Sequence, residues 1–367
     1  MILVLTAGFG DGHNTAARSV AEAMQMLSPG EEVVVSDFIT EVHPRLASFL
    51  KGLYQFAIIN WPASWRFVYT TLAETETHAK PPAWQVMLLK VLAERVSALK
   101  PRLIVSTYPL YAELIHRLRS SMPMPPLVTI ITDSVSVHPI WLSAPSDRLC
   151  VADAETKAVV QKWGVESKRC FVSGFPVSLA FTRPPTLAHD SSRQRILYLP
   201  STSVRWFGLT LESLRPLLAS GVHLTIPVGK HASRLYHTLR RFMDSMPGAS
   251  IEIIGWTQRM PELLQTHDVL ISKAGGAILH EVLAARCPVV IDYVVPGQEE
   301  GNANLLLDHG CALRSHHPSE TGEAVARLLA DNGRLGREFR DHMSPLSVPD
   351  AALKAATCAL EIADPRN

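Results

Sequence analysis

The stretch that decides the fold is the first one, Ile2-Leu-Val-Leu-Thr6-Ala-Gly8-Phe-Gly10-Asp-Gly12-His13-Asn14. Its opening apolar run has no polar alternation, so it reads as a strand buried on both faces. Three glycines at alternate positions then let the backbone turn tightly and approach a ligand closely. From His13 to Leu27 the apolar residues Ala16, Val20, Ala23 and Leu27 share one helical face. A strand, a glycine turn and a helix open a βαβ unit, and the helix start offers unpaired N–H groups and a positive dipole end to an anion. A dinucleotide fingerprint needs glycine where His13 stands, so G-x-G-x-x-G fails, although Asp37 after a second strand keeps an NAD reading in view. His13 is a candidate base in the cleft, and equally a candidate capping or lining residue.

Outward from this unit the rhythm continues. Leu103–Ser106, Val128–Thr132 and Cys170–Ser173 read as strands with helical stretches between most of them. After Gly174 the series restarts with Ile196–Leu199, His223–Pro227, Ser250–Ile254, Val269–Ser272 and Val289–Asp292. Two such series predict an α/β protein of two doubly wound, parallel-sheet domains. The chain's 367 residues agree, since single cores stop growing near ~250–300 residues. Linker punctuation at Phe175-Pro176 and Arg183-Pro184-Pro185 places the expected domains at 1–175 and 176–348, with a final helical stretch, 349–367, expected to return to the first.

Lys and Arg number 35 against 34 Asp and Glu, for a net charge of +1, which excludes a bulk polyanion binder such as a general nucleic-acid protein. Five scattered cysteines without a C-x-x-C pair argue for structural thiols rather than a zinc site or disulfide frame. Met1-Ile-Leu-Val-Leu has no basic region ahead of it, and no apolar run reaches the ~18 residues of a span, so neither a signal peptide nor a transmembrane helix is expected. The neutral average conceals one unusual segment. Residues 41–120 hold ten Lys/Arg against five Glu, a local +5, together with Trp61, Trp65, Trp84, Tyr54, Tyr69, Phe49, Phe56 and Phe67. Aromatics interleaved with cations such as Arg66 suit an anionic bilayer surface. The same residues also suit an ordinary helical insertion with an aromatic core.

Two more constellations carry chemistry. Ile271-Ser-Lys273-Ala-Gly275-Gly276-Ala-Ile-Leu-His280-Glu281 is again strand, glycine turn and helix start, a second anion site. Glu281 lies too deep in that helix to cap it and suits a pair of sugar hydroxyls, while Lys273 suits phosphate or plain solvent. One βα unit later, Pro296-Gly297-Gln298-Glu299-Glu300-Gly301-Asn302 offers hydroxyl-binding side chains on a neighbouring loop.

Together with Ile131-Thr-Asp133, His138-Pro-Ile-Trp141, Gly174-Phe-Pro-Val177, Gly255-Trp256 and Met260, these pieces resemble the monogalactosyldiacylglycerol synthases and processive diacylglycerol glucosyltransferases, relatives of the MurG-type GT28 glycosyltransferases. The matching pieces run the length of the chain. The resemblance implies the GT-B fold, with two Rossmann-like domains facing a cleft, and a UDP-sugar as co-substrate with no cofactor and no metal. It implies His13 as general base, with Gly12 facing the donor and Gly10, Asp11, Asp133 and His138 on the acceptor side. Gly255 and Trp256 would frame the uracil with Met260 close by, Lys273, Gly275 and Gly276 would hold the diphosphate, and Glu281 the ribose. Gln298, Glu299 and Asn302 would grip the sugar. The chain departs from the family at Ile278, where members place threonine, and at Pro200-Ser-Thr-Ser-Val-Arg205, where the family loop is glycine-rich.

The expected activity is inverting, metal-independent transfer of a hexose from UDP-glucose or UDP-galactose to a diacylglycerol-type lipid. The expected site of action is the cytoplasmic side of a membrane, bound peripherally. A UDP-sugar transferase with a soluble or isoprenoid-linked acceptor, or a GT-B epimerase, explains the loops but leaves the tryptophan segment as core. A non-catalytic nucleotide-binding or membrane module leaves the candidate base and hydroxyl-binding groups without a task.

Overall fold

The computed structural model describes residues 1–8, 11–49, 52–53, 83–134, 137–185, 193–200, 203–296 and 299–364. They form two compact units, one of Met1–Leu179 with the chain from Val348 onward, the other of Ala180–Ser347.

The first unit runs β1 (Ile2–Thr6), α1 (Asp11–Leu27), β2 (Val33–Asp37), α2 (Phe38–Val42), α3 (Ala83–Leu99), β3 (Leu103–Ser106), α4 (Leu110–Arg119), β4 (Leu127–Ile130), β5 (Arg148–Val151), α5 (Ala154–Lys162) and β6 (Cys170–Val172). Its six parallel strands lie in the order β2-β1-β3-β4-β5-β6. The continuous apolar run of β1 is explained by this order: β1 is flanked on both edges and covered on both faces. Ile2 and Val4 point into one core with Ala17, Val20 and Met24 of α1. Leu3 and Leu5 point into the opposite core with Leu88 and Leu92 of α3 and Tyr111 and Leu114 of α4. Each side chain of that size contributes roughly 1.5–3 kcal/mol when fully buried.

The second unit runs β7 (Arg195–Tyr198), α6 (Val204–Ser213), α7 (Arg215–Ala219), β8 (His223–Pro227), α8 (Ala232–Asp244), β9 (Ile251–Ile254), α9 (Met260–Thr266), β10 (Val269–Lys273), α10 (Gly276–Ala285), β11 (Val289–Tyr293), α11 (Glu300–Asp308), β12 (Ala312–Arg314) and α12 (Thr321–Met343), the last broken by non-helical residues from Ala330 to Gly333. Its strand order, β12-β11-β10-β7-β8-β9, is that of a Rossmann sheet. Tyr198, Phe207, Leu211, Ile271 and Val290 centre the core on one face of it.

The last helix, α13 (Ala351–Ala363), closes the first unit. Ala352, Ala355, Ala356, Cys358 and Ala359 form its buried face against α1, and residues this small let the two helices pack closely. All five cysteines are free and buried. Among the described residues no helix is long and apolar enough to cross a membrane.

Candidate active site

In each sheet the chain reverses its direction of travel once, between β1 and β3 in the first unit and between β7 and β10 in the second. Ligand crevices of open α/β sheets form at the carboxyl ends of the strands at such points. Both glycine turns found in the sequence stand there.

In the first unit the turn after β1 is tied down from three directions. Thr6 Oγ1 donates to Asn14 Oδ1 at 3.0 Å, Tyr111 Oη donates to the Thr6 carbonyl at 2.6 Å, and Gly8 N donates to Asp37 Oδ2 at 3.2 Å. Asp37 also caps α2 through Thr40 N, so its carboxylate organises this turn and the next helix, a structural use for the residue that left NAD in view. Gly12 and His13 fall in the first turn of α1. The Gly10 position and the Asp11 side chain lie outside the described residues, as do Trp61, Trp65 and Arg66 of the aromatic segment.

His13 Nδ1 lies 2.8 Å from the carbonyl of Thr107, just after β3, and 2.9 Å from Thr132 Oγ1, just after β4. A carbonyl only accepts, so Nδ1 carries the proton and the lone pair of the neutral ring is at Nε2. Thr107 Oγ1 donates back to the His13 carbonyl at 3.1 Å. The ring meets Tyr108 edge-on at 5.1 Å and Trp141 at 6.0 Å. Asp133 holds that tryptophan: its Oδ2 accepts Trp141 Nε1 at 2.8 Å and His138 N at 3.2 Å. His138 in turn accepts from Ile140 N through Nδ1, capping the short 3-10 turn Pro139–Leu142. The structure therefore brings together three residues read from the sequence, His13, Asp133 and His138, and adds Thr107, Tyr108 and Thr132. Burial pushes the His13 pKa down, opposed by the nearby Asp133 carboxylate and the Thr107 carbonyl, which favours the neutral ring. Burial likewise raises Asp133, opposed by the N–H of His138 and by His13.

In the second unit β10 ends on Lys273, Gly275 is the N-cap of α10, and no side chain caps that helix. Its first N–H groups and dipole are presented at the turn. Glu299, the N-cap of α11, reaches back with one carboxylate oxygen to the Lys273 ammonium and with the other accepts Val295 N at 3.1 Å. Asn302 Nδ2 donates to the Ala274 carbonyl at 3.1 Å. Glu299 and Asn302, expected on sugar hydroxyls, are thus both engaged within the protein. Glu281 is half-buried in the second turn of α10, while Gln298 lies outside the described residues. Gly255, Trp256 and Met260 follow β9, with β7 and β8 between it and β10, and Trp256 is 73% exposed. The structure does not join these three to the Lys273 cluster through the sheet.

Residues 13–177 match the family model described as monogalactosyldiacylglycerol (MGDG) synthase. Over 343 residues, 92% of this chain and 88% of the relative, the sequence is 26% identical to the processive diacylglycerol beta-glucosyltransferase of Bacillus subtilis. The enzyme of the same description from Bacillus cytotoxicus is 26% identical over 373 residues, covering 98% and 93% of the two chains. Among solved structures, MurG of Acinetobacter baumannii superposes with a TM-score of 0.61 at 15% identity, over 98% of this chain and 99% of that one.

Two six-stranded parallel sheets of this topology are the GT-B fold, and the chain is a glycosyltransferase of the hexosyl-transferring class. By sequence its relatives are the MGDG synthases and the processive diacylglycerol glucosyltransferases.

Proposed function

We propose that the protein transfers a hexose from UDP-glucose or UDP-galactose to the hydroxyl of a diacylglycerol-type lipid, with inversion and without a metal ion. The observation that carries the reading is His13, a neutral imidazole whose Nδ1–H is fixed by the Thr107 carbonyl, leaving Nε2 to take a proton. In the proposed step the acceptor O–H proton passes to Nε2 as its oxygen bonds to the anomeric carbon. The bond from that carbon to the UDP oxygen breaks on the opposite face, and its electron pair leaves with the diphosphate.

Charge growing on the diphosphate meets the uncapped start of α10 and the Lys273 ammonium, which supply without a metal what a cation would supply. Glu281 would take the ribose, Gly255, Trp256 and Met260 the uracil, and the loop of Gln298 and Asn302 the sugar. The acceptor is supported by the two Bacillus relatives, both diacylglycerol glucosyltransferases, whose lengths this chain nearly spans. A peripheral membrane role is supported by exposed apolar side chains within the described part of the aromatic segment. Phe49, Leu53, Trp84, Val86 and Met87 are all exposed, Trp84 by 42%.

Incubation with each labelled UDP-hexose in turn, against diacylglycerol vesicles and against soluble acceptors, tests the reading. Label is expected in the lipid fraction, undiminished by a chelator. Label appearing only in soluble acceptors would refute the lipid acceptor, and loss of transfer with the chelator would refute metal independence.

A further inference from the structure

The Lys273–Glu299 pair has a consequence for how the donor is held. Lys273 ends β10, and Glu299 begins α11, 26 residues later. Only 6% of the Glu299 side chain is exposed, so the carboxylate is not displayed towards solvent as a waiting hydroxyl ligand. Both of its oxygens are engaged, one by the Lys273 ammonium and one by Val295 N, and Glu299 N donates to the Val295 carbonyl at 3.0 Å. The residue closes its own loop and fastens that loop to the phosphate turn. Asn302 adds a second tie through the Ala274 carbonyl. A methyl placed on Gly275 would lie 3.5 Å from Lys273 Nζ and 3.7 Å from Glu299 Oε1, so the ion pair sits directly over the start of α10.

We propose that Glu299 is a positioning residue, a clasp that holds Lys273 over the α10 N-terminus and ties the sugar loop to the phosphate turn, rather than a ligand of the sugar. Its negative charge has two effects there. It fixes where the ammonium stands, and it partly cancels the positive field that an incoming diphosphate meets. Affinity for the diphosphate is therefore held below what Lys273 and the helix dipole would give alone, in exchange for a defined loop geometry. This inference rests on the nucleotide-sugar reading given above, and the two fail in different ways.

The test compares UDP with UDP-hexose on wild type and on Glu299→Gln, which keeps an acceptor for Val295 N but loses the charge. Calorimetry at two salt concentrations is expected to show UDP binding tightened roughly tenfold in the variant, the size of change that releasing one cation near a phosphate brings. The salt dependence should steepen, and turnover of UDP-hexose should fall because the loop is no longer held. Unchanged UDP affinity together with weakened UDP-hexose binding would overturn the clasp and leave Glu299 as a sugar ligand. Wild-type protein that binds neither ligand would instead overturn the nucleotide-sugar reading.

Should Glu299→Gln fail to fold, the thermal midpoints of Lys273→Met and of the double variant decide the matter. Lys273→Met strands a buried carboxylate, so it should be the less stable protein, and adding Glu299→Gln should restore most of the loss. Additive losses would contradict the clasp.

Discussion

Asp292 shows most plainly what one buried group does to this protein. It lies on β11 with no exposed surface, and burial pushes its pKa from 3.8 up to about 7, the nearby Tyr198 hydroxyl opposing in part. The native state thus keeps a proton that the unfolded chain has released. Stability therefore falls as pH rises from about 4 towards about 7 and stays lower above that. Three pH units at ~1.4 kcal/mol each set a ceiling of roughly 4 kcal/mol. Asp292→Asn should remove this slope, so its thermal midpoint relative to wild type should improve between pH 5 and pH 8. A constant difference across that range would show the carboxyl ionised throughout. His267 works in the other direction. Its Nδ1–H goes to the Leu263 carbonyl and its Nε2 faces Thr225 Oγ1, and burial lowers its pKa to about 4. Its contribution is complete above about 6.5 and is lost as pH falls towards about 4. Neither group stands out in the sequence, because a strand aspartate and a helix-end histidine take these pKa values only from what packs around them. The His13 site divides in the same way. Its glycine turn is contiguous and legible, but the Thr107 carbonyl that fixes its tautomer is 94 residues away and has no side-chain signature.

At the scale of elements, runs buried on both faces were the readable ones. β1, β3, β10 and β11 open on continuous apolar runs in the interior of the two sheets, where no alternation dilutes the signal. β12 is a three-residue edge strand and β5 opens on Arg148, so neither rises above its surroundings. Gly174, quoted in the sequence for its motif, has an element-scale cause. It sits just after β6 at φ +83°, and a Cβ there would stand 2.7 Å from Ala351 Cβ and 2.8 Å from Val348 Cγ1. The entry of α13 onto the first unit passes directly over this residue. Gly174→Ala should therefore cost roughly 2–4 kcal/mol, backbone strain and overpacking together, read as a lowered urea midpoint with an unchanged slope. A neutral substitution would mean that α13 does not dock as described.

At the scale of the whole molecule, the net charge of +1 averages over unlike parts. The +5 stretch of residues 41–120 is offset by an acidic remainder, and its described residues include exposed Phe49, Leu53, Trp84, Val86 and Met87. Co-sedimentation with anionic vesicles should accordingly be strong at low salt and weaken as salt rises. Absence of binding at low salt would remove the membrane from the account. The central claim is chemical, however, and one measurement meets it directly. Purified protein and its His13→Ala variant are each incubated with diacylglycerol vesicles and UDP-glucose or UDP-galactose, and the extracted lipid is weighed by mass spectrometry while UDP affinity is measured in parallel. The account predicts diacylglycerol heavier by hexose with wild type, and no such product with His13→Ala at an undiminished UDP affinity. Hexosylated lipid formed equally well by His13→Ala, or UDP-hexose consumed by wild type with no hexosylated lipid, would contradict it.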